Sequence, residues 1–471
     1  MGLLRNRGLA LPAFLAAACA GPGLGPGAPP AARPNVLLIL ADDLGYADLG
    51  FTGVSDIPTP ALDALAARGV VCTDGHVSAS VCAPSRAGLL TGRYQQRTGF
   101  ECNLGQGDGL LEGTATFPAA LQGVGYATTL VGKWHLGAEA HNHPRALGFD
   151  HFTGLLAGSR SYFPLGGAKS PGRTRRIERD GEVVPEEELG YLTDFFTAEG
   201  ERAIRGRDRS RPFFLHMSYT APHGPMHARE DLERRFSGIE SPRRRKYAAM
   251  VAALDEGVGR LLRALDDEGI TEETLVVFLS DNGGATSNAS DNGPWRGMKG
   301  SKWEGGQRVP FVVSWPGRLV PGRYDEPVSS LDLAATFRRA AGAPPAEVAD
   351  GVDLTPFLAG ERSGDGPHPT LFWRRAVASA AREGDWKLIR AETAPGVMGA
   401  PILVNLAEDP GERVDRAADE PDRVERLLGL LAGWERAMSP PRWLTAEVWR
   451  ENQRKKHRMD VVGRDAERRL P

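Results

Sequence analysis

Residues 34–43 read PNVLLILADD: an unbroken apolar run that ends abruptly on two adjacent carboxylates, Asp42 and Asp43. Three further segments share this form. YATTLVGKWH (126–135) closes on Lys133 and His135, PFFLHMSYTAPH (212–223) on His223, and TLVVFLSDNGG (274–284) on Asp281 and Asn282. Runs that are apolar at successive positions, rather than at alternate ones, suit strands buried on both faces. Such strands belong to a mostly parallel sheet covered by helices, and open sheets of that kind place ligands at the carboxyl ends of their strands. The polar clusters are therefore expected to converge at one edge of the sheet.

The intervening segments support this arrangement. TPALDALAARG (59–69) offers Thr59 as an N-cap, Pro60 at the first helical position and Gly69 as a stop. Tyr247, Met250, Val251, Leu254, Val258, Leu261, Leu262 and Leu265 recur at helical spacing before Gly269, which predicts a long helix packed on the sheet by one face. With 471 residues, 41% of them apolar, the chain is long enough for one large domain and a smaller one. The high counts of Gly (58) and Pro (35) argue against a helical bundle or coiled coil, and a net charge of −3 gives no support to nucleic-acid binding.

The chain divides into five parts. Residues 1–20 read as an export signal: Arg5 and Arg7 precede LALPAFLAAACA, which is too short to span a bilayer and ends in small residues. Residues 21–33 are a Gly/Pro-rich linker and 34–360 the large domain that carries the four strand-like runs. In 361–440, LFWRRAVASA, DWKLIRAE and PILVNL are short strand-like runs followed by the helical VERLLGLLAGWERAM. The basic tail 441–471 reads as a solvated end. The export reading places the protein in the periplasm or outside the cell, with Cys19 a weak candidate for lipid attachment. In an oxidising compartment Cys72, Cys82 and Cys102 then form an odd set; Cys72 and Cys102 are candidates to pair, leaving Cys82 as the reactive residue.

Asp42, Asp43, Asp281 and Asn282 are oxygen donors grouped two and two, with no histidine or cysteine among them, and this composition favours a hard cation, calcium before magnesium. A single Asp after a strand is more often a turn former; two acidic pairs at two strand ends reverse that preference.

CAPSRAGLLTGR (82–93) resembles the signature of type I sulfatases, in which the cysteine is oxidised to formylglycine. NVLLILADDLGYADLG, GKWHLG, YTAPH, LSDNGG, GMKGSKWEGGQRVPF, DGVDLTPFLAG and REGDWKLI follow in the family's order, from about Asn35 to beyond Leu388. The resemblance implies an alkaline-phosphatase-like α/β/α sandwich with a mostly parallel central sheet, and a smaller C-terminal α+β domain with a short antiparallel sheet. It implies calcium held by Asp42, Asp43, Asp281, Asn282 and the modified Cys82. Arg86, Lys133 and His135 stand by the aldehyde hydrate and sulfate, and His223 and Lys299 by the leaving oxygen. Lys302 and His227 lie close enough in sequence to exchange roles with Lys299 and His223, and Ser159 and Ser161 are both candidates near the sulfate. The implied partners are a sulfated small molecule or oligosaccharide and, during maturation, a formylglycine-generating enzyme.

Three other readings compete. A phosphodiesterase or phosphonate monoester hydrolase would use the same motifs, and an inactive glycan-binding homologue would keep the scaffold. A Cys82 thiolate nucleophile is disfavoured by spacing: the cysteine phosphatase loop needs about five residues between cysteine and arginine to wrap an oxyanion, whereas Ala83, Pro84 and Ser85 alone separate Cys82 from Arg86.

Overall fold

In the computed structural model, which describes residues 33–459 apart from 54, 55, 106, 107, 166–171, 363 and 365, the four apolar runs are adjacent strands. Thr274–Ser280, Asn35–Ala41, Phe213–Ser218 and Ala127–Lys133 lie side by side, all parallel, in the middle of a ten-stranded sheet. His151–Leu155 extends the parallel set beyond Ala127–Lys133, and Phe311–Ser314 joins antiparallel on the other side. The export and linker readings and Cys19 fall outside the described residues, except Arg33.

Side chains alternate across a strand, so a run apolar at every position supplies two cores at once. Leu37, Ile39 and Ala41 face one side, packed with Tyr247, Met250, Val251, Leu254 and Leu261 of the Pro242–Asp267 helix. Val36, Leu38 and Leu40 face the other, packed with Ala83, Ala87, Leu89 and Leu90 of the Cys82–Thr91 helix. Fully burying one such aliphatic side chain stabilises by roughly 1.5–3 kcal/mol. Because the neighbouring strands are parallel, their carboxyl ends, and the polar residues that follow them, share one edge.

The Cys82–Thr91 helix ends at Gly92, whose φ of +67° and N–H bond to Gly88 O at 2.8 Å form a left-handed cap. The Pro60–Ala67 helix differs from expectation. Thr59 does not cap it; its hydroxyl turns to Asp63 at 3.1 Å, and the free amides of Ala61 and Leu62 donate instead to Asp255, at 3.2 and 2.8 Å, from the long helix.

Beyond the large sheet, Leu371–Arg375, Ala378–Glu383, Trp386–Ala394 and Ile402–Asn405 form an antiparallel sheet, joined by Val397–Met398. The Pro421–Arg436 helix covers one face through Leu427 and Leu431; Trp303 packs into the other with Trp373 and Ile389. Two expectations fail here. Cys72 and Cys102 are both free thiols, buried in place and not paired. The tail is not a solvated end as far as it is described: Glu447–Lys456 is a helix, Gln453, Arg454 and His457 are buried, and Arg454 pairs with Glu392 of the small sheet at 2.9 Å. A helix lets the basic side chains segregate, so that some pair with the sheet while others face water. Among the described residues no helix is long and apolar enough to cross a membrane.

Candidate active site

The polar ends of the four strands meet around Cys82. Its Sγ lies 3.5 Å from Asp42 Oδ1, 3.9 Å from Asp43 Oδ1 and 3.0 Å from Lys299 Nζ. Lys133 Nζ is 2.6 Å from Asp42 Oδ2, Lys299 Nζ 2.6 Å from Asp43 Oδ1, and Arg86 Nη2 2.8 Å from Asp281 Oδ2. Arg86 also donates to Ser218 Oγ at 2.5 Å and Lys133 O at 3.3 Å, which fixes its plane. Asn282 Nδ2 donates to Asp43 Oδ1 at 2.7 Å, and His223 Nε2 stands 3.6 Å from Asp43 Oδ2.

Asp42, Asp43, Asp281 and Asn282 are almost wholly buried. Burial would raise the Asp42 carboxyl, but Lys133, His223 and Arg86 hold it well below the ordinary carboxylate range. Burial would lower the Lys299 ammonium, yet Asp43 keeps it high and charged. Asp281 is raised, first by burial and then by the nearby Asp42 charge. The Cys82 thiol is pushed up to about 12 by burial and by Asp281. It therefore stays protonated at neutral pH, a poor nucleophile as a thiol, which counts against the thiolate reading. His135 is held well below the ordinary imidazole value by burial, then Lys133 and Arg86, so its ring is neutral at pH 7.

The donor set suits a hard cation. Asn282 Oδ1 is buried with no hydrogen-bond donor, beside three carboxylates, Asp42, Asp43 and Asp281. An orphaned buried acceptor of this kind costs about 1–3 kcal/mol unless something supplies positive charge to it. Asp42, Asp43, Cys82 and His223 also bring one ligand atom each within 4.8 Å of one another. The carboxylates of Asp42, Asp43 and Asp281 are matched by Arg86, Lys133 and Lys299, so a divalent ion would leave the site net positive and attractive to an anion.

The structure separates the residues whose spacing left them interchangeable. Lys299 reaches the cluster, whereas Lys302 Nζ points away to Ser80 Oγ at 3.3 Å. His223 faces Asp43, whereas His227 Nδ1 meets Ser161 Oγ at 3.3 Å outside the cluster. Ser159 lines the cleft with Cys82 and His135. Two contributors escaped the sequence reading. Ser218 is the last residue of its strand, a position that itself marks the reacting edge, while Asn103, which accepts from Ala83 N at 3.2 Å, sits in a loop without a local signal.

The Sulfatase family model matches residues 34–343. The chain is 32% identical to arylsulfatase J of Mus musculus over 87% of its own length and 77% of that protein. It is 34% identical to arylsulfatase A of Bos taurus, covering 87% of the chain and 90% of the relative. Among solved structures it superposes on Ps i-CgsB in complex with k-i-k-neocarrahexaose with a TM-score of 0.83 and 33% identity, covering 91% of this chain and 99% of that one. A phosphonate monoester hydrolase of Agrobacterium radiobacter, at 23% identity and a TM-score of 0.62, shares the fold. With motifs, sheet and site in agreement, the chain belongs to the sulfatase family, of alkaline-phosphatase-like fold, and is an enzyme that hydrolyses sulfate esters.

Proposed function

We propose that the enzyme removes sulfate from a sulfated carbohydrate, with formylglycine at position 82 and calcium in the carboxylate cluster. The observation that carries this reading is the meeting of Cys82 with Asp42, Asp43 and Lys299 at the carboxyl edge of the sheet. Asp42, Asp43, Asp281 and Asn282 would hold the ion, and protein oxygens in this number favour calcium over magnesium, which tends to keep its water. Bound there, the ion supplies charge against anion repulsion and acidity for a hydroxyl on residue 82. A formylglycine-generating enzyme would install the aldehyde, whose hydrate offers one hydroxyl to attack sulfur and a second through which sulfate can leave. The carbohydrate assignment is supported by the neocarrahexaose bound to the solved neighbour.

The chain's own residues supply the rest. Arg86, fixed by Asp281 and Ser218, and Lys133, fixed by Asp42, present positive charge to the sulfate oxygens. His223, with Lys299 beside it, gives a proton to the departing alcohol oxygen; His223 Nδ1 is engaged by Gly224 O at 2.6 Å, which leaves Nε2 for that task. His135, neutral at pH 7, takes the proton from the second hydroxyl of residue 82 as sulfate departs. Residues 1–20 support export of the enzyme to the periplasm or beyond.

The test is to produce the full chain with a formylglycine-generating enzyme, weigh the Gly69–Arg86 tryptic peptide, and assay 4-nitrophenyl sulfate beside an aryl phosphodiester. The aldehyde mass with faster sulfate turnover is expected. An intact thiol in active protein, activity that survives thorough chelation, or faster phosphodiester turnover overturns the reading.

A further inference from the structure

The cleft over Cys82 has two arms. One arm, of 640 Å³, passes His135, Ser159 and Arg175; the other, of 950 Å³, passes Lys299, Arg375, Trp449 and Lys456. His223 and Asn103 border both, so the arms join at the reacting centre.

The second arm is walled by the C-terminal helix Glu447–Lys456. Trp449 on that helix is 62% exposed, and among the described residues it stacks on no other ring or cation. A broad indole face left open on a cleft wall matches the apolar face of a sugar ring. Deeper in the arm two cations converge. A Cβ placed on Gly300 would lie 3.0 Å from Arg375 Nη1 and 3.3 Å from Lys456 Nζ. Neither forms an ion pair among the described residues, whereas nearby Lys299 is held by Asp43. Both are positioned by neutral partners. Gln453, with its amide oxygen turned to the guanidinium, accepts from Arg375 Nη2 at 2.8 Å and Nε at 2.9 Å, and Lys456 donates to Lys299 O at 2.6 Å. Burial, then the Arg375 and Lys299 charges, bring Lys456 down to about 8, against the weaker opposing pull of Asp43.

We propose that this arm is a subsite for the neighbouring sugar of a sulfated glycan chain. The ring lies on Trp449, and an anionic substituent, sulfate or carboxylate, sits between Arg375 and Lys456. Because the arm that passes Arg175 opens from the same centre and leaves room for a further sugar, the unit that loses its sulfate is an internal one. The inference rests on the sulfated-carbohydrate reading and adds the polymer to it.

The test compares the holoenzyme and its Trp449→Ala and Trp449→Phe variants on 4-nitrophenyl sulfate, on neocarrahexaose, whose anionic groups are sulfates, and on a chondroitin sulfate hexasaccharide, which adds carboxylates. Sulfate release from an internal unit of one oligosaccharide, without chain shortening, is expected. For that oligosaccharide, the ratio of kcat/KM to that for 4-nitrophenyl sulfate should fall about tenfold in Trp449→Ala, through KM, and recover in Trp449→Phe. Preference between the two oligosaccharides tells sulfate from carboxylate. Turnover of 4-nitrophenyl sulfate with no internal desulfation of either oligosaccharide, or an unchanged ratio in Trp449→Ala, overturns the inference. Absence of turnover on every substrate sinks the sulfatase reading itself, and the subsite with it.

Discussion

Asp43 and His135, neither of them glycine, both hold a φ of +62°. A left-handed backbone at such residues costs about 1–2 kcal/mol each and persists only where surroundings impose it. For Asp43 those surroundings are Lys299 and Asn282 on its carboxylate and Asp281 Oδ1 on its amide, the last at 3.3 Å. Single residues also settle what spacing left open. Lys299 and Lys302 could not be told apart in sequence because the loop between them is irregular: Gly300, at φ +86°, turns the chain and sends the two ammonium groups to different places. Lys299→Ala is expected to lower kcat for 4-nitrophenyl sulfate by about 10²–10³-fold. Lys302→Met should stay within about threefold of the parent, since its partner is a single hydroxyl, Ser80. Equal losses would return the role to Lys302. For His135 the depressed imidazole gives a pH prediction. In its proposed role as a base His135 works only when unprotonated, so its acid limb of kcat is expected below the ordinary value of 6.5, with activity persisting into mildly acidic buffer. His135→Gln removes that limb; a limb unmoved by the substitution would assign it elsewhere.

Among the elements, the two helices that flank the sheet near its reacting edge differ in how far their own sequence accounts for their ends. Cys82–Thr91 stops where Gly92 permits a left-handed turn, and a Cβ there would also come within 2.6 Å of Ala334 Cβ. That boundary is local, marked by Gly92 itself. Pro60–Ala67 likewise starts where Thr59 and Pro60 predict, but the acceptor of its first amides was not readable, because it is Asp255, a residue 193 positions from Leu62. No pattern of neighbours reveals such a cap, for its condition is the packing of one helix against another. Asp255→Ala leaves the Ala61 and Leu62 amides without that acceptor, and a loss of about 1–3 kcal/mol is expected, read as a lower midpoint of urea unfolding. A midpoint equal to that of the parent would show that water replaces the carboxylate at no cost.

On the scale of the whole molecule, the C-terminal segment completes the site. Lys456 Nζ donates to Lys299 O at 2.6 Å, Trp303 Nε1 to Lys456 O at 2.8 Å, and Lys302 N to His457 Nε2 at 2.9 Å, so the helix Glu447–Lys456 and its C-cap His457 hold the loop that presents Lys299. The small sheet is tied in beneath it by buried charge: Lys387 pairs with Glu304 at 2.7 Å and Arg382 with Asp74 at 2.6 Å. Truncation after Ala446 is expected to lower kcat for 4-nitrophenyl sulfate about tenfold or more, while the far-ultraviolet circular dichroism of the remaining elements is kept. Unchanged turnover would deny the last helix any part in placing Lys299. The apolar runs determined, by sequence alone, the buried parallel strands, their common carboxyl edge and the identity of the groups gathered there. Those features depend on side-chain period and on strand ends, which are local properties. Only the tertiary structure decided which lysine and which histidine enter the cluster, which carboxylate caps a distant helix, and that residues 447–456 of the basic tail form a cleft wall. Each of these depends on contacts between segments far apart in the chain, where the gain comes from pairing and burial that no short stretch contains.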